Sequence, residues 1–139
     1  MVLGKRVLAV VRLNRRGNAV VEFALILPIL LAVVFGITEF GRAWLTVNVM
    51  NTAVREGARL AVVTGPDVSA VKSRVTAVLT AAKVTAKTIT VTGPDSADPE
   101  RKVTVSVTSD FKVLPGKILG TFKGTIPLQA STTMRHESL

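Results

Sequence analysis

The 139-residue chain contains no cysteine, no tyrosine and a single histidine. The lack of cysteine excludes disulfides, thiolate metal sites and a cysteine nucleophile, but does not tell an oxidising compartment from a reducing one. His136 lies near the C-terminus, where a lone histidine is more often solvated than a ligand or base. With no His/Glu/Asp cluster, phosphate-binding glycine loop or nucleophile elbow in the sequence, we expect no enzymatic activity, no metal and no cofactor.

Aromatic residues are also scarce, at 4%, whereas 48% of the chain is hydrophobic and its mean hydropathy is +0.46. This composition is too apolar for an ordinary soluble domain of this size. The longest apolar run, residues 20–37, has about the length that a helix needs to cross a hydrocarbon core of about 30 Å. The sequence therefore predicts one transmembrane segment, within about residues 20–37.

Acidic residues are absent from the first 17 residues, which carry five of the nine excess positive charges. Nucleic-acid binding would require the charge to gather on one face with motif support, which the sequence lacks. The basic leader instead precedes the apolar run directly, so the positive-inside rule places the N-terminus in the cytoplasm and the C-terminal part outside. We expect a single-pass protein of the bacterial inner membrane.

A cleaved secretory signal is the rival interpretation, because it also has a basic region before an apolar core. The run is longer than the usual core of such a signal, and no clear small-x-small cleavage pattern follows it. The helical pattern instead continues, which predicts one helix over residues 18–63 that ends at Thr64, Gly65 and Pro66. Its outer part carries a stripe at three-four spacing that we expect lateral partners to cover: Phe40, Trp44, Val47, Asn51, Val54, Ala58 and Ala61.

Residues 67–139 are predicted to form a small extracytoplasmic domain. Asp67 can cap a second helix, with apolar positions from Val68 to Ala82 at the helical period. Alternating segments predict strands around residues 88–92, 102–108 and 125–132, with turns at 93–99 and 114–124. Pro127 favours an edge position for the last strand. The fold class is α+β: a long N-terminal transmembrane helix, then one helix on a three-stranded antiparallel sheet.

The segment RRGNAVVEFALILP, residues 15–28, resembles a class IV prepilin processing signal in its tight-adherence form. The resemblance implies cleavage by a prepilin peptidase between Gly17 and Asn18, and glycine suits this position because it has no side chain to hinder a protease. Glu22 is a carboxylate at the start of a membrane helix, which is costly without a partner and is a functional hypothesis by default. The resemblance implies that Glu22 meets the N-terminal amine of a neighbouring subunit, and Phe23 of the same motif is grouped with it as an assembly residue. An interfacial Glu22 close to headgroups is the alternative.

Residues 17–44 and 51–63 together resemble the TadE/TadG-like family, and the short length favours a TadE-like minor pilin. The resemblance implies a role in assembly of the tight-adherence (Flp) pilus, in adhesion and in biofilm formation, with other pilins and assembly proteins as partners. Six further residues of these motifs are candidate partner contacts: Pro28, Glu39, Arg42, Arg55, Glu56 and Arg59. The charged members could equally form a solvated helix face, and Pro28 could only bend the helix.

Two other functions stay open. An uncleaved single-pass factor could retain residues 1–17 and use its outer domain as a binding module for the assembly machinery. A tip adhesin is a minor variant, because the outer domain has no aromatic platform. No small-molecule substrate and no nucleic acid is expected as a partner.

Overall fold

The computed structural model describes residues 15–64, 67–93, 102–114 and 124–135. Helix α1 covers Arg15–Thr64 and helix α2 covers Val68–Ala81. Three strands follow: β1 at Thr88–Thr92, β2 at Lys102–Lys112 and β3 at Thr125–Arg135. This element order confirms the predicted α+β class with a long apolar N-terminal helix. The predicted turn residues 94–99 and most of the loop 114–124 lie outside the described residues.

The described chain divides into two compact units between Ile37 and Thr38. In the first unit, α1 continues through Pro28, and its large apolar side chains are exposed, with exposed fractions between 36% at Leu27 and 71% at Leu25. A single candidate membrane-spanning helix is found among the described residues. Its length and composition fit a single-pass membrane protein.

In the second unit, α2 begins where the sequence predicts. The Asp67 carboxylate accepts hydrogen bonds from the backbone N–H groups of Ser69 and Ala70, at 2.9 and 3.2 Å, which satisfies donors that have no partner within the helix. Just after the end of the helix, Lys83 adopts a left-handed conformation with φ 58°. The N–H of Lys83 bonds to the Thr80 carbonyl and that of Val84 to the Leu79 carbonyl, both at 2.9 Å. This is the Schellman arrangement, with lysine at the position that usually holds glycine.

The sheet is antiparallel in the order β1-β2-β3, so β3 with Pro127 lies at an edge, as predicted. Strands β2 and β3 are paired along their whole length, with Lys102 opposite Arg135 at one end and Lys112 opposite Thr125 at the other. Both strands extend beyond their predicted ends. The apolar face alternates along β2, where Val103, Val105 and Val107 are buried. The alternation in the last strand predicts Ile126 on the same apolar face as Leu128 and Ala130, but Ile126 stands at the start of an edge strand and is 51% exposed.

A helix layer covers one face of the sheet. Its buried contributions come from Met50, Ala53, Val54, Ala58 and Ala61 of α1 and from Val71, Val75 and Leu79 of α2. The predicted stripe on α1 is therefore only partly right. Its outer end, Val54 to Ala61, is covered by the chain's own domain and needs no lateral partner, whereas Phe40 and Trp44 are 71% and 61% exposed.

Candidate assembly and membrane surface

The predicted processing site lies on α1. Gly17 and Asn18 belong to the helix, whose described residues begin at Arg15. The Asn18 side chain donates a hydrogen bond from Nδ2 to Oε1 of Glu22 at 2.9 Å, and both residues are exposed. Residues four apart are neighbours on a helix surface, and an asparagine–carboxylate pair at this spacing stabilises the helix by about 0.2–0.5 kcal/mol. One oxygen of Glu22 thus has a partner within its own chain.

Phe23 and Pro28 share the exposed character of this first unit. Phe23 is 60% exposed, and Pro28 is exposed within the helix. A run of exposed aliphatic residues of this length is incompatible with water and suited to lipid or to other apolar helices.

Glu39 and Arg42 form an ion pair at the start of the second unit. The Arg42 Nη1 group lies 2.7 and 2.9 Å from the two carboxylate oxygens of Glu39. The Glu39 side chain is only 14% exposed. The same guanidinium lies over the Phe111 ring, 5.2 Å from its centroid, which is within cation–π range. Arg42 therefore links α1 to the end of β2 and has a structural role in the domain.

The residues from Arg55 to Arg59 lie on two sides of α1, one buried and one exposed. Gly57 and Ala58 point into the core, where a β-carbon on Gly57 would lie 2.5 Å from Cγ2 of Val75. Glu56 accepts a hydrogen bond from Arg74 of α2 at 3.3 Å. Within the part of the chain that the structure describes, Arg55 and Arg59 are exposed and have no ion-pair partner. Of the charged residues among the predicted partner contacts, these two arginines are the ones without an ion-pair partner in the described part of the chain.

The structure thus gives the predicted residues different surroundings. It pairs Asn18 with Glu22 and Glu39 with Arg42, and it uses Glu56 inside the domain. Sequence reasoning missed Gly57 and Phe111. The four-residue spacing of Asn18 and Glu22 was a usable signal for their pair, whereas no sequence signal joins Arg42 to Phe111. The functional roles assigned to Gly17, Asn18, Glu22 and Phe23 stay predictions.

Comparison with known proteins confirms the resemblance that the sequence motifs indicated. Residues 17–59 match the family model described as TadE-like protein. The matched segment begins at Gly17 and covers the apolar run, the Glu39–Arg42 pair and the buried Gly57. No curated protein and no solved structure matches the chain. The TadE-like segment implies an association with the tight-adherence pilus machinery.

Proposed function

We propose that this protein is a minor pilin or pseudopilin of the tight-adherence pilus. In this proposal a prepilin peptidase cuts the chain after Gly17, and the mature protein contributes to pilus assembly, adhesion and biofilm formation. One observation carries the proposal: the TadE-like match starts at the same glycine that the processing motif singles out. The apolar helix directly after this glycine, with its single carboxylate at Glu22, gives the peptidase product a membrane anchor.

The chemistry of Glu22 supports an assembly role. Cleavage after Gly17 would convert the Asn18 backbone amide into an ammonium group, while Asn18 Nδ2 already occupies one oxygen of Glu22. The other carboxylate oxygen can then accept a charge-assisted hydrogen bond from the ammonium group of a neighbouring subunit. In an apolar surrounding such a pair is strongly favoured over an isolated carboxylate.

The exposed span supports the same role. In the membrane, the aliphatic side chains of residues 20–37 would contact lipid tails. In a filament they would be covered by the equivalent helices of other subunits, which replaces one apolar surrounding by another at little cost. The N-terminus lies in the cytoplasm and the α+β domain outside the inner membrane in this proposal, in keeping with the basic leader.

An uncleaved membrane-bound binding module is the second candidate, and one observation favours it. The Gly17–Asn18 peptide bond lies within α1, so a protease would have to unwind the start of the helix to reach it. A chain that keeps its leader would stay in the inner membrane and present its outer domain, including Arg55 and Arg59, to the assembly machinery.

The N-terminal mass of the protein recovered from membranes tests the proposal and separates the two candidates. Cells with and without the prepilin peptidase are compared. We expect a peptidase-dependent start at Asn18. A leader that stays attached in both strains would reject the processed pilin and favour the membrane-bound module.

A further inference from the structure

A shallow groove of the second unit is rich in positive charge. Its lining includes Arg42, Lys83, Lys87 and Lys112, here called the basic cluster. Asp110 is the one acidic residue among its lining residues. The groove lies between the α2–β1 connection and the end of β2, so the cluster combines side chains from three parts of the fold.

Two ammonium groups of the basic cluster are available to an outside anion. Arg42 is paired with Glu39, and Lys87 is paired with Asp110 at 2.9 Å. Lys83 and Lys112 are exposed, and neither side chain has an ion-pair partner within the described ranges. The cluster therefore keeps a net positive charge after its internal ion pairs are counted.

The backbone at Lys83 adds an independent observation. Its φ of 58° lies in the left-handed region, where a side chain is disfavoured and glycine is the usual residue. A lysine here costs conformational energy that glycine would avoid. The choice of lysine at this position is explained if its ammonium group binds an anion in the groove.

Arg42 connects the basic cluster to the end of the apolar run through the chain itself. Arg42 follows Ile37, the last residue of the apolar run, by five residues, which corresponds to about 7.5 Å at the 1.5 Å rise of a helix. Each headgroup layer of a bilayer is about 5–8 Å thick. Phe40 and Trp44 stack at a centroid distance of 6.3 Å, and exposed aromatic residues beside a span are typical of the membrane interface. Arg42 therefore follows the apolar run closely enough along the chain to reach lipid phosphates.

We propose that the basic cluster binds the headgroup phosphates of anionic lipids in the leaflet where the apolar run ends. Lys83 and Lys112 supply the free charges, and Arg42 and Lys87 complete the positive field. The inference rests on the membrane-spanning part of the proposed function. Such contacts would hold the domain against the bilayer surface before the subunit leaves the membrane.

Trp44 is the single tryptophan of the chain and serves as the probe. The full-length protein is placed in vesicles that contain both phosphatidylglycerol and phosphatidylcholine, with one or the other lipid carrying a pyrene label. Energy transfer from Trp44 to each label measures which lipid gathers near the domain. We expect preferential transfer to phosphatidylglycerol, and we expect about 1 M salt, where the Debye length is about 3 Å, to abolish the preference.

The variant pair Lys83→Gln and Lys112→Gln, made together, should lose most of the preference. Arg55→Gln with Arg59→Gln is the matched control, because it removes the same charge from exposed and unpaired positions of α1 outside the groove. Equal transfer to both lipids, or an equal loss in the control, would overturn this inference alone. The absence of transfer to either lipid would overturn the membrane-spanning part of the proposed function as well.

Discussion

Gly57 of α1 packs directly against Val75 of α2. A β-carbon at position 57 would lie 2.5 Å from Cγ2 of Val75, and 3.5 Å from Cγ1 of Val105 on β2. Real β-carbons essentially never approach another heavy atom to 2.5 Å. The absence of a side chain at Gly57 therefore lets α2 and the sheet pack against α1, and the two helices and β2 share one core.

Gly57→Ala should destabilise the domain. Valine is restricted at χ1 in a helix, so Val75 cannot turn away from the added methyl group. Overpacking of this kind costs about 1–3 kcal/mol, and the better helix propensity of alanine returns up to about 1 kcal/mol. We expect a net loss of up to about 2 kcal/mol after this return, measured by denaturant unfolding of the full chain in detergent micelles.

Gly41→Ala is the control for this experiment, because no heavy atom lies within 4 Å of a β-carbon built there. It should leave stability unchanged or raise it slightly. In a Val75→Ala background, Gly57→Ala should cost less than in the wild type, since the clashing methyl group is gone. An equal cost in both backgrounds would show that steric conflict with Val75 is not the cause.

The Asp67 cap makes helix α2 sensitive to acid. Hydrogen bonds from the Ser69 side chain, and then from the backbone of Ala70 and Ser69, lower the pKa of Asp67 below its ordinary 3.8. Because the folded-state pKa is the lower one, the charged cap stabilises the protein above about pH 4. This contribution disappears as the pH falls through the folded-state pKa. Asp67→Asn keeps a capping oxygen but does not titrate.

Thermal unfolding at several pH values tests the cap. As the pH falls from 6 through the folded-state pKa of Asp67, the melting temperature of the wild type should fall further than that of Asp67→Asn, so that the difference between the two proteins shrinks. Parallel curves over the whole range would mean that the carboxylate of Asp67 contributes nothing through its charge.

Lys83→Gly should stabilise the fold. The left-handed conformation costs a residue with a side chain about 1–2 kcal/mol, and glycine avoids this cost while it loses about 0.5–1 kcal/mol through the freedom of the unfolded chain. The expected net gain is about 0.5–1 kcal/mol in denaturant unfolding. Lys83→Ala keeps the β-carbon and should show no such gain. A similar gain in Lys83→Ala would show that the stabilisation comes from removing the lysine charge and not from relieving the backbone.

Much of the domain follows from local patterns. Asp67 before apolar residues at helical spacing is enough to start α2 at Val68, and the alternation in β2 is enough to orient its valines. The same reasoning fails where burial depends on residues distant in sequence. The charged residues on both sides of Gly57 suggest an exposed helix face. Val75 and Val105, which pack against Gly57, are distant in sequence, so their contact with it is seen only in the folded structure.

The candidate site was predictable in the same uneven way. The glycine and glutamate of the processing motif stand five residues apart in sequence, so their spacing can be read directly. The packing of Arg42 on Phe111 joins residues about seventy positions apart, and nothing local marks either partner. The left-handed backbone at Lys83 could not be predicted for another reason. Glycine is the residue that signals this conformation, and a lysine does not.

Glu22→Gln should impair pilus assembly while it leaves membrane insertion intact. Glutamine keeps the length of the side chain and can still accept the hydrogen bond from Asn18, which the wild-type carboxylate accepts at 2.9 Å. It removes only the negative charge that a neighbouring ammonium group would meet. Counts of surface pili by electron microscopy, with membrane fractionation as the insertion control, should therefore give the same defect for Glu22→Gln as for Glu22→Ala. Normal piliation in both variants would reject the assembly role of Glu22, and normal piliation in Glu22→Gln alone would assign that role to hydrogen bonding instead of charge.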